Sequence, residues 1–396
     1  MNQHNILVLN CGSSSLKFAV IEPQSQQILM SGLAQRLNSS NASIEYTGAR
    51  DTQAHTIAPQ STDHEGAIES VLSILKQHQL LEHISAVGHR VVHGGESYSE
   101  SLRLTSDNIA SLAQLHHLAP LHNPVNLLGI SAIQSLLPQL PQVAVFDTAF
   151  HQSLPEAAYL YGVPLELYQE HGVRRYGFHG TSFRYVSQKA AQLINKPITE
   201  SNFLIAHLGN GCSACAIKGG KSVDTSMGLT PLEGLMMGTR SGDVDPGLVD
   251  FLCQRLSLQV PAVMEVLNKK SGLLGISGIS NDMREIQQAA QAGDIRANLA
   301  VELFAFKIAR YLGALAISLP SIDALIFTGG IGENDRLTRS LVLEHLSILG
   351  FKLDGTLNQN NGDDAGRISA ADSTLAMVVA TDEELMIALD TQSLVA

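Results

Sequence analysis

A short turn rich in glycine and serine occurs twice in this sequence, once near the N-terminus and once near the middle. The first is Asn-Cys-Gly-Ser-Ser-Ser over residues 10–15, and the second is His-Leu-Gly-Asn-Gly over residues 207–211. An apolar run stands before each turn and another follows it. This pattern predicts a strand, a tight turn and a second strand in both places.

The two turns indicate a duplicated architecture. Aligned without a gap, the two copies carry the same residue at Leu9 and Leu208, at Gly12 and Gly211, and at Ser14 and Ser213. Strands open each half of the chain and helical periodicities follow, as in layered α/β proteins. We therefore predict an N-terminal domain over 1–150 and a C-terminal domain over 151–383, with a last helix over 384–396 packing back on the first domain.

Apolar periodicity and breaker residues locate the individual elements. Besides the strands around the second turn, strands are predicted at 5–10, 16–22, 28–33, 43–47, 86–92, 142–147, 323–328 and 373–380. Helices are predicted at 65–80, 106–117, 124–137, 181–195, 247–256, 281–292, 294–318 and 382–389.

The composition excludes several classes of protein. The chain has 396 residues, a net charge of -12, 44% hydrophobic residues and 16% charged residues. These proportions are globular, and the acidic balance argues against non-specific binding of nucleic acid or of an anionic membrane. No signal-peptide n-region and no uncharged apolar run of about 18 residues is present, and the few cysteines fit a reducing compartment. We therefore predict a cytoplasmic protein.

The glycine turns are suited to holding phosphate. Glycine lets backbone N–H groups approach an anion without a Cβ in the way, and serine adds hydroxyl donors. Lys17 follows the first turn, and a third glycine cluster at 329–334 comes after a predicted strand and opens a helix. An ordinary hairpin would explain either turn alone, but the three clusters together favour a phosphate site. The dinucleotide fingerprint is incomplete, and a Walker A loop is absent because Cys215 replaces its first glycine.

Arginine and histidine cluster in short segments flanked by glycine, at 88–95, 176–181 and 238–243. An arginine beside glycine on a loop offers a fork of N–H donors with room for a planar anion. A surface salt bridge would explain any one of these segments. Together, in a chain with only 25 basic residues, they favour a shared anion site.

A zinc site is poorly supported, because Cys212 and Cys215 have no second pair and would point to opposite faces of a strand. A hard cation such as Mg²⁺ fits better, since it takes oxygen ligands and accompanies nucleotide phosphates. The candidate oxygens belong to Asp147 at a strand end, to Asn10, and to Glu383 or Glu384 after the last strand.

With these motifs in place, the chain resembles the acetokinase (acetate kinase) family over essentially its whole length. The matching segments are 10–17, 88–95, 122–124, 146–151, 176–182, 207–211, 238–246, 327–334 and 381–385. One departure is Phe183, where the family often carries histidine, and we expect little effect from it. The resemblance implies the fold of the acetate and sugar kinase/Hsp70/actin superfamily: two duplicated, ribonuclease H-like α/β domains with ATP in the cleft between them. It also implies a homodimer formed through the C-terminal domain.

The resemblance implies roles for particular residues. Catalysis would fall to Asp147, His179 and Arg240. The acetate site would be formed by Arg90, which binds the carboxylate, and by Val92, Leu121, Phe178 and Pro231. ATP would be bound by Lys17, His207, Leu208, Gly209, Asn210, Gly211, Asp282, Met283, Arg284, Gly330, Ile331, Gly332, Glu333 and Asn334. Asn10 and Glu383 would hold Mg²⁺, or Mn²⁺ in its place.

The implied reaction is the reversible, direct in-line transfer of the γ-phosphoryl group of ATP to acetate, giving acetyl phosphate and ADP. The family usually assigns Asp147 the role of proton donor and acceptor, but acetate is already ionised at pH 7, so we expect Asp147 to orient Arg90, His179 or the Mg²⁺ waters instead. Bulky Val92 favours acetate, with a propionate or broader short-chain acyl kinase as the alternative. A non-catalytic nucleotide switch would not need Arg90, His179 and Arg240, and a sugar kinase would need a base and a polar sugar pocket.

Overall fold

The computed structural model describes residues 4–48, 51–120 and 122–396. The chain folds into two compact units, one formed by Met1–Phe150 with Asp382–Ala396 and the other by His151–Thr381. No helix among the described residues is long and apolar enough to cross a membrane.

The described residues contain thirteen strands and fifteen α-helices. The strands are β1 Asn5–Gly12, β2 Ser15–Glu22, β3 Gln27–Gln35, β4 Ser43–Gly48, β5 Asp51–Ile57, β6 Ile84–Val91, β7 Leu102–Arg103, β8 Gln142–Phe146, β9 Asn202–Leu208, β10 Cys212–Lys218, β11 Lys221–Thr225, β12 Ala324–Thr328 and β13 Ala376–Val378. The helices are α1 His64–Gln77, α2 Ser106–Ala113, α3 Asn123–Leu136, α4 Glu156–Tyr159, α5 Leu165–His171, α6 Gly180–Leu193, α7 Gly247–Leu256, α8 Val260–Lys269, α9 Gly272–Ser277, α10 Met283–Gln291, α11 Ile295–Ala316, α12 Gly329–Asn334, α13 Arg336–His345, α14 Gly355–Gln359 and α15 Glu383–Val395.

The first unit is built on a sheet of strand order β5-β4-β3-β2-β1-β6-β8-β7. Strands β1, β6 and β8 run parallel, and every other neighbouring pair is antiparallel. Alternate residues of β1, including Leu7 and Leu9, join residues of α1 in one buried core. Helix α15 packs closely on β6, where a Cβ on Gly88 would lie 2.4 Å from the hydroxyl of Thr391. The parallel strands end at one edge of the sheet, which gathers the residues that follow them.

The second unit has a sheet of strand order β11-β10-β9-β12-β13. Strands β9, β12 and β13 are parallel, while β10 and β11 are antiparallel to their neighbours. The long helix α11 begins after Asp294, whose side chain caps it by accepting from the amide of Ala297, and buries an apolar face. Register places Ser213 of β10 and Thr328 of β12 beside His207 of β9.

Both predicted hairpins are confirmed, but the position-by-position overlay of the two turns is wrong. In the first hairpin Gly12 pairs with Ser15, which leaves a loop of two residues. In the second, Leu208 pairs with Cys212, and the loop comprises the three residues 209–211. Gly12 therefore ends a strand, whereas Gly211 lies inside a loop. The longer loop closes with the amide of Gly209 donating to the carbonyl of Gly211 at 3.0 Å.

Candidate active site

In the first unit, hydrogen bonds fix the orientation of an arginine at the ends of the parallel strands. Arg90 lies near the end of β6, and Asp147 follows β8 directly, with its amide donating to the carbonyl of Val91 at 3.1 Å. The Arg90 guanidinium donates from Nε to one Asp147 oxygen at 2.9 Å and from Nη2 to the other at 2.5 Å. Its Nη1 donates to Asn10 Oδ1 at 3.2 Å. With one hydrogen spent per bond, an N–H remains on each terminal nitrogen, which is where a carboxylate binds in bidentate fashion.

A group of carboxylates surrounds this arginine. Burial alone would lower the pKa of Arg90, but the charges of Asp147, Glu383 and Glu384 raise it. Glu384 forms an ion pair with Lys17, which is half exposed and lies opposite Asn10 in the β1–β2 register. The structure therefore brings together five residues predicted from sequence for metal, phosphate and substrate, and adds Glu384 as the partner of Lys17.

Glu383 opens helix α15, and its Oε1 is buried with no hydrogen-bond partner among the residues that the structure describes. Burial raises the pKa of Glu383 to about 7, and the charges of Asp147 and Glu384 add to this while those of Arg90 and Lys17 oppose it. Asn10 Oδ1 accepts from Arg90, whose charge also acts on Glu383, and carboxylate and amide oxygens are ligands that suit Mg²⁺. Among the described residues, no three His, Cys, Asp or Glu side chains form a full metal cage.

The predicted acetate-pocket residues are divided between the two units. In the first unit Val92 is buried just past β6, and its amide donates to Asn126 Oδ1 at 3.0 Å. Leu121 lies outside the described residues. In the second unit Phe178 is buried, and its carbonyl accepts from Nε2 of His151 at 3.0 Å. Pro231 is half buried in the segment between β11 and α7.

A pair of stacked imidazoles marks the second unit. The rings of His179 and His207 have centroids 4.3 Å apart and an interplanar angle of 27°. His179 precedes helix α6 with a left-handed φ of 60°, a conformation that a non-glycine residue adopts at a cost and that is common at functional sites. Phe183, the departure from the family pattern, is fully buried and meets the ring of His207 edge-on, with centroids 6.4 Å apart.

Arg240 lies next to this pair. A Cβ on Gly211 would be 3.6 Å from Nε2 of His179 and 3.9 Å from Nη1 of Arg240, so the loop 209–211, the histidine and the arginine meet at one point. Burial lowers the pKa of Arg240. Within the described ranges no carboxylate pairs with Arg240, and its guanidinium contacts only the sulfur of Met237, at 3.9 Å.

The backbone around Arg240 is held by the segment that opens α9. The amide of Ser271 donates to the carbonyl of Thr239, and the amide of Leu273 donates to that of Met237. A Cβ on Gly272, which has a φ of 62°, would lie 2.7 Å from the carbonyl oxygen of Arg240. A half-buried, unpaired cation on such a fixed loop is suited to receive an anion.

The remaining predicted nucleotide residues lie in three places. Asn210 accepts from Asn281 Nδ2 at 2.9 Å and binds the amide of Gly238 through its carbonyl at 3.0 Å. Asp282 caps α10 and pairs with the exposed guanidinium of Arg284, while Met283 points into the core.

The third place is α12, which follows β12 as predicted. The Glu333 carboxylate accepts from the amides of Gly329 and Thr381, at 2.9 and 3.1 Å, so it supports the turn rather than facing outward. The fully buried Arg339 donates to the carbonyls of Gly332 and Glu333, at 3.0 and 2.9 Å. A Cβ on Gly330 would meet nothing within 4 Å, so its backbone is open to a ligand. Ile331 is half buried, and Asn334 Nδ2 donates to the Gly330 carbonyl.

Comparison with known proteins shows the family of this chain. The model of the acetokinase family matches residues 5–389. The acetate kinase of Ectopseudomonas mendocina is 53% identical over 100% of both chains. The crystal structure of Porphyromonas gingivalis acetate kinase has a TM-score of 0.94 and 44% identity, covering 99% of this chain and 100% of that one. A propionate kinase from Francisella tularensis has the same TM-score and identity, covering 98% of this chain and 99% of that one.

Fold and site together define an α/β kinase with two sheets, and the predicted fold class is confirmed. More particularly, the chain belongs to the acetokinase family, whose members use ATP and ADP as co-substrates.

Proposed function

We propose that this chain catalyses the reversible transfer of the γ-phosphoryl group of ATP to acetate, giving acetyl phosphate and ADP by direct in-line displacement. The observation that carries the proposal is the set of hydrogen bonds made by the Arg90 guanidinium. Asp147 accepts hydrogen bonds from Nε and Nη2 of Arg90. One N–H on each terminal nitrogen therefore remains available to bind a planar carboxylate. A non-catalytic protein that only changes conformation with its bound nucleotide does not need a binding site for a carboxylate.

The chemical problem in this reaction is charge. A carboxylate must approach a polyanionic phosphate, and the equatorial oxygens of the transferring group need fixed positive partners. We propose that the first unit binds acetate through Arg90, and that His179 and Arg240 of the second unit stabilise the transferring group. The guanidinium of Arg240 supports this role, because no carboxylate in the described part of the chain pairs with it and its charge is available to a phosphoryl group.

We propose that Mg²⁺ is bound by Glu383 and Asn10, with Lys17 acting on the phosphates. The cation would neutralise charge on the phosphate oxygens. Among the described residues Glu383 Oε1 is a buried oxygen without a hydrogen-bond partner, and the Asn10 carbonyl, which accepts from Arg90, has a second lone pair to offer. Glu384 keeps Lys17 in place by ion pairing.

Asp147 is proposed as a positioning residue for Arg90 rather than as a base. Both of its carboxylate oxygens accept from the guanidinium. Acetate carries no proton at pH 7, because the pKa of a free carboxyl group is about 4 to 5. A base would therefore have nothing to remove from the acceptor.

Acetate is proposed as the preferred acceptor and propionate as a secondary one. Val92 is buried and bulky, which favours the smaller methyl group. One methylene in an apolar pocket is worth only about 1–3 kcal/mol, so measurable transfer to propionate is expected. The structural likeness to a propionate kinase is consistent with this second activity.

The function is tested by trapping acyl phosphate as hydroxamate. Purified protein is incubated with Mg²⁺, ATP and hydroxylamine, together with acetate, propionate or butyrate. We expect the highest kcat/KM with acetate, a lower value with propionate, and no product when the metal is chelated. Absence of hydroxamate with all three acids would overturn the proposed function, and a preference for propionate would establish the alternative.

We also propose that the protein is a cytoplasmic homodimer formed through the second unit. Exposed apolar side chains lie on helices of that unit, with exposed fractions of 60% for Phe251 and 55% for Val260. Such a patch is typical of a protein contact. All four cysteines are free, as expected in a reducing compartment.

The dimer is tested by light scattering after gel filtration, where we expect a mass near twice 42.4 kDa. Phe251→Asp should shift the population toward the monomer, because it buries a charge at the contact. Ile348→Asp is the matched control, since Ile348 is also exposed but follows α13 and belongs to neither α7 nor α8. A monomer in the unmodified protein would contradict the proposal.

A further inference from the structure

Two serines that the sequence did not link to the histidines hold the stacked imidazole pair. Ser213 Oγ lies 2.8 Å from Nδ1 of His179, and Ser182 Oγ lies 2.8 Å from Nδ1 of His207. Both serines are fully buried. Ser182 also contacts the Thr381 hydroxyl at 2.7 Å, which ties it to the segment after β13.

The two serines belong to different elements, so the stacked histidines are held by hydrogen bonds from both a strand and a helix. Ser213 lies on β10 directly opposite His207 in the strand register, and His179 stacks over His207. Ser182 lies in the first turn of α6, just past His179. Each imidazole is therefore held by its Nδ1 edge, and the Nε2 edge of His179 faces Gly211.

We propose that Ser213 and Ser182 are positioning residues that fix the Nε2 edges of His179 and His207 toward the phosphoryl and nucleotide groups. This inference rests on the proposed function and specifies how that site is assembled. It assigns the Ser213 hydroxyl to the imidazole of His179, instead of to a phosphate oxygen as a serine on a glycine turn would suggest.

A hydroxyl group suits this task better than a carboxylate. It can donate to Nδ1 of a neutral imidazole or accept from Nδ1–H of an imidazolium, because it is both donor and acceptor. In either state His179 keeps a hydrogen on Nε2 that can be donated to a phosphoryl oxygen. Ser213 thus fixes the ring orientation without dictating its charge.

The same arrangement occurs once more in this unit. Nδ1 of His151 lies 2.8 Å from Ser222 Oγ, and Nε2 donates to the Phe178 carbonyl. Burial lowers the pKa of His151 to about 4, so this ring is neutral and accepts from the serine through Nδ1. In His151 the direction of the serine bond is fixed because Nε2 must donate to a carbonyl, which leaves Nδ1 of the neutral ring as the acceptor.

The test is a set of serine variants assayed for kcat and for KM of each substrate. Ser213→Ala should lower kcat roughly tenfold to a hundredfold with KM for ATP little changed, because a misaligned catalytic group costs turnover. Ser182→Ala should act mainly on KM for ATP, since His207 belongs to the proposed nucleotide set. Ser187→Ala is the matched control: Ser187 is buried on the same helix, but its hydroxyl donates to the Arg184 carbonyl.

A double-mutant cycle separates positioning from simple loss of packing. The effect of Ser213→Ala should nearly disappear in a His179→Ala background, because residues acting through one another are not additive. Should Ser213→Ala fold poorly, Ser213→Thr and Ser213→Val form a pair of equal shape, and only the hydroxyl-bearing variant should keep its turnover. A Ser213→Ala loss no larger than that of the control, an undiminished loss in the His179→Ala background, or equal turnover of the Thr and Val variants would overturn the inference.

The inference can fail separately from the proposed function. If the unmodified protein forms hydroxamate but the serine variants behave like the control, the function stands and the positioning role is wrong. If no hydroxamate forms at all, the imidazole ¹⁵N shifts of His179 still report the Nδ1 bond without turnover. Identical shifts in the unmodified protein and in Ser213→Ala would show that the bond does not orient the ring.

Discussion

Arg240→Ala is expected to lower the turnover of acetyl phosphate formation by roughly 10³-fold or more, as removal of other phosphoryl-stabilising arginines does. The guanidinium is half buried beside Gly211 and His179, and among the described residues no carboxylate neutralises it. Its charge is thus available to an incoming phosphoryl group. Thermal unfolding should be nearly unchanged, because alanine removes a desolvated cation without leaving a buried partner unpaired.

Two further variants make the Arg240 result specific. Arg240→Lys keeps the charge but loses the planar fork, so its turnover should lie between those of alanine and arginine. Arg103→Ala removes an exposed arginine on β7 and should leave steady-state kinetics unchanged. Near-normal turnover in Arg240→Ala would remove this residue from the proposed site.

Much of the fold could be predicted because its central strands are apolar and bounded by turns. The hairpins β1–β2 and β9–β10 and the strand β12 all carry this signal, and they are confirmed. The apolar patterns do not predict the short strand β7 or the strands β5 and β11. Asp51–Ile57 and Lys221–Thr225 are largely polar, and each lies at a sheet edge, where backbone pairing rather than an apolar face holds a strand. Helix α8 was also missed, although Pro261 at its start and the spacing of Val263 and Leu267 are signals that could have found it.

The residues that carry the chemistry could be named from sequence, but their partners could not. Glycine-flanked arginines and histidines are rare enough to single out. The local sequence does not predict that both oxygens of Asp147 accept hydrogen bonds from Arg90, because the two residues are 57 positions apart. The bond between Ser213 and His179 joins residues 34 positions apart and depends on the strand register. Such pairings are set by tertiary packing.

Asp147→Asn is expected to reduce kcat/KM for acetate by roughly a hundredfold, through loss of orientation of Arg90. An amide nitrogen cannot accept from the guanidinium, so one of the bonds at 2.9 and 2.5 Å is lost and the fork is free to turn. The Arg90→Ala variant should lose at least as much. The double variant should lose little more than Arg90→Ala alone, because Asp147 acts through the arginine.

The pH profile of kcat/KM for MgATP distinguishes this role from that of a base, because it reports the ionisations of the free enzyme. The pKa of Glu383 is raised to about 7, so protonation of this carboxylate should reduce activity as the pH falls through that value. The charge of Asp147 contributes to raising that pKa. Asp147→Asn should therefore move the acidic limb to lower pH and not abolish it.

Glu384→Gln removes another charge that raises the pKa of Glu383, so it should shift the limb the same way while sparing KM for acetate. Disappearance of the limb in Asp147→Asn, with Mg²⁺ affinity unchanged, would show instead that Asp147 itself is the titrating group and acts in proton transfer.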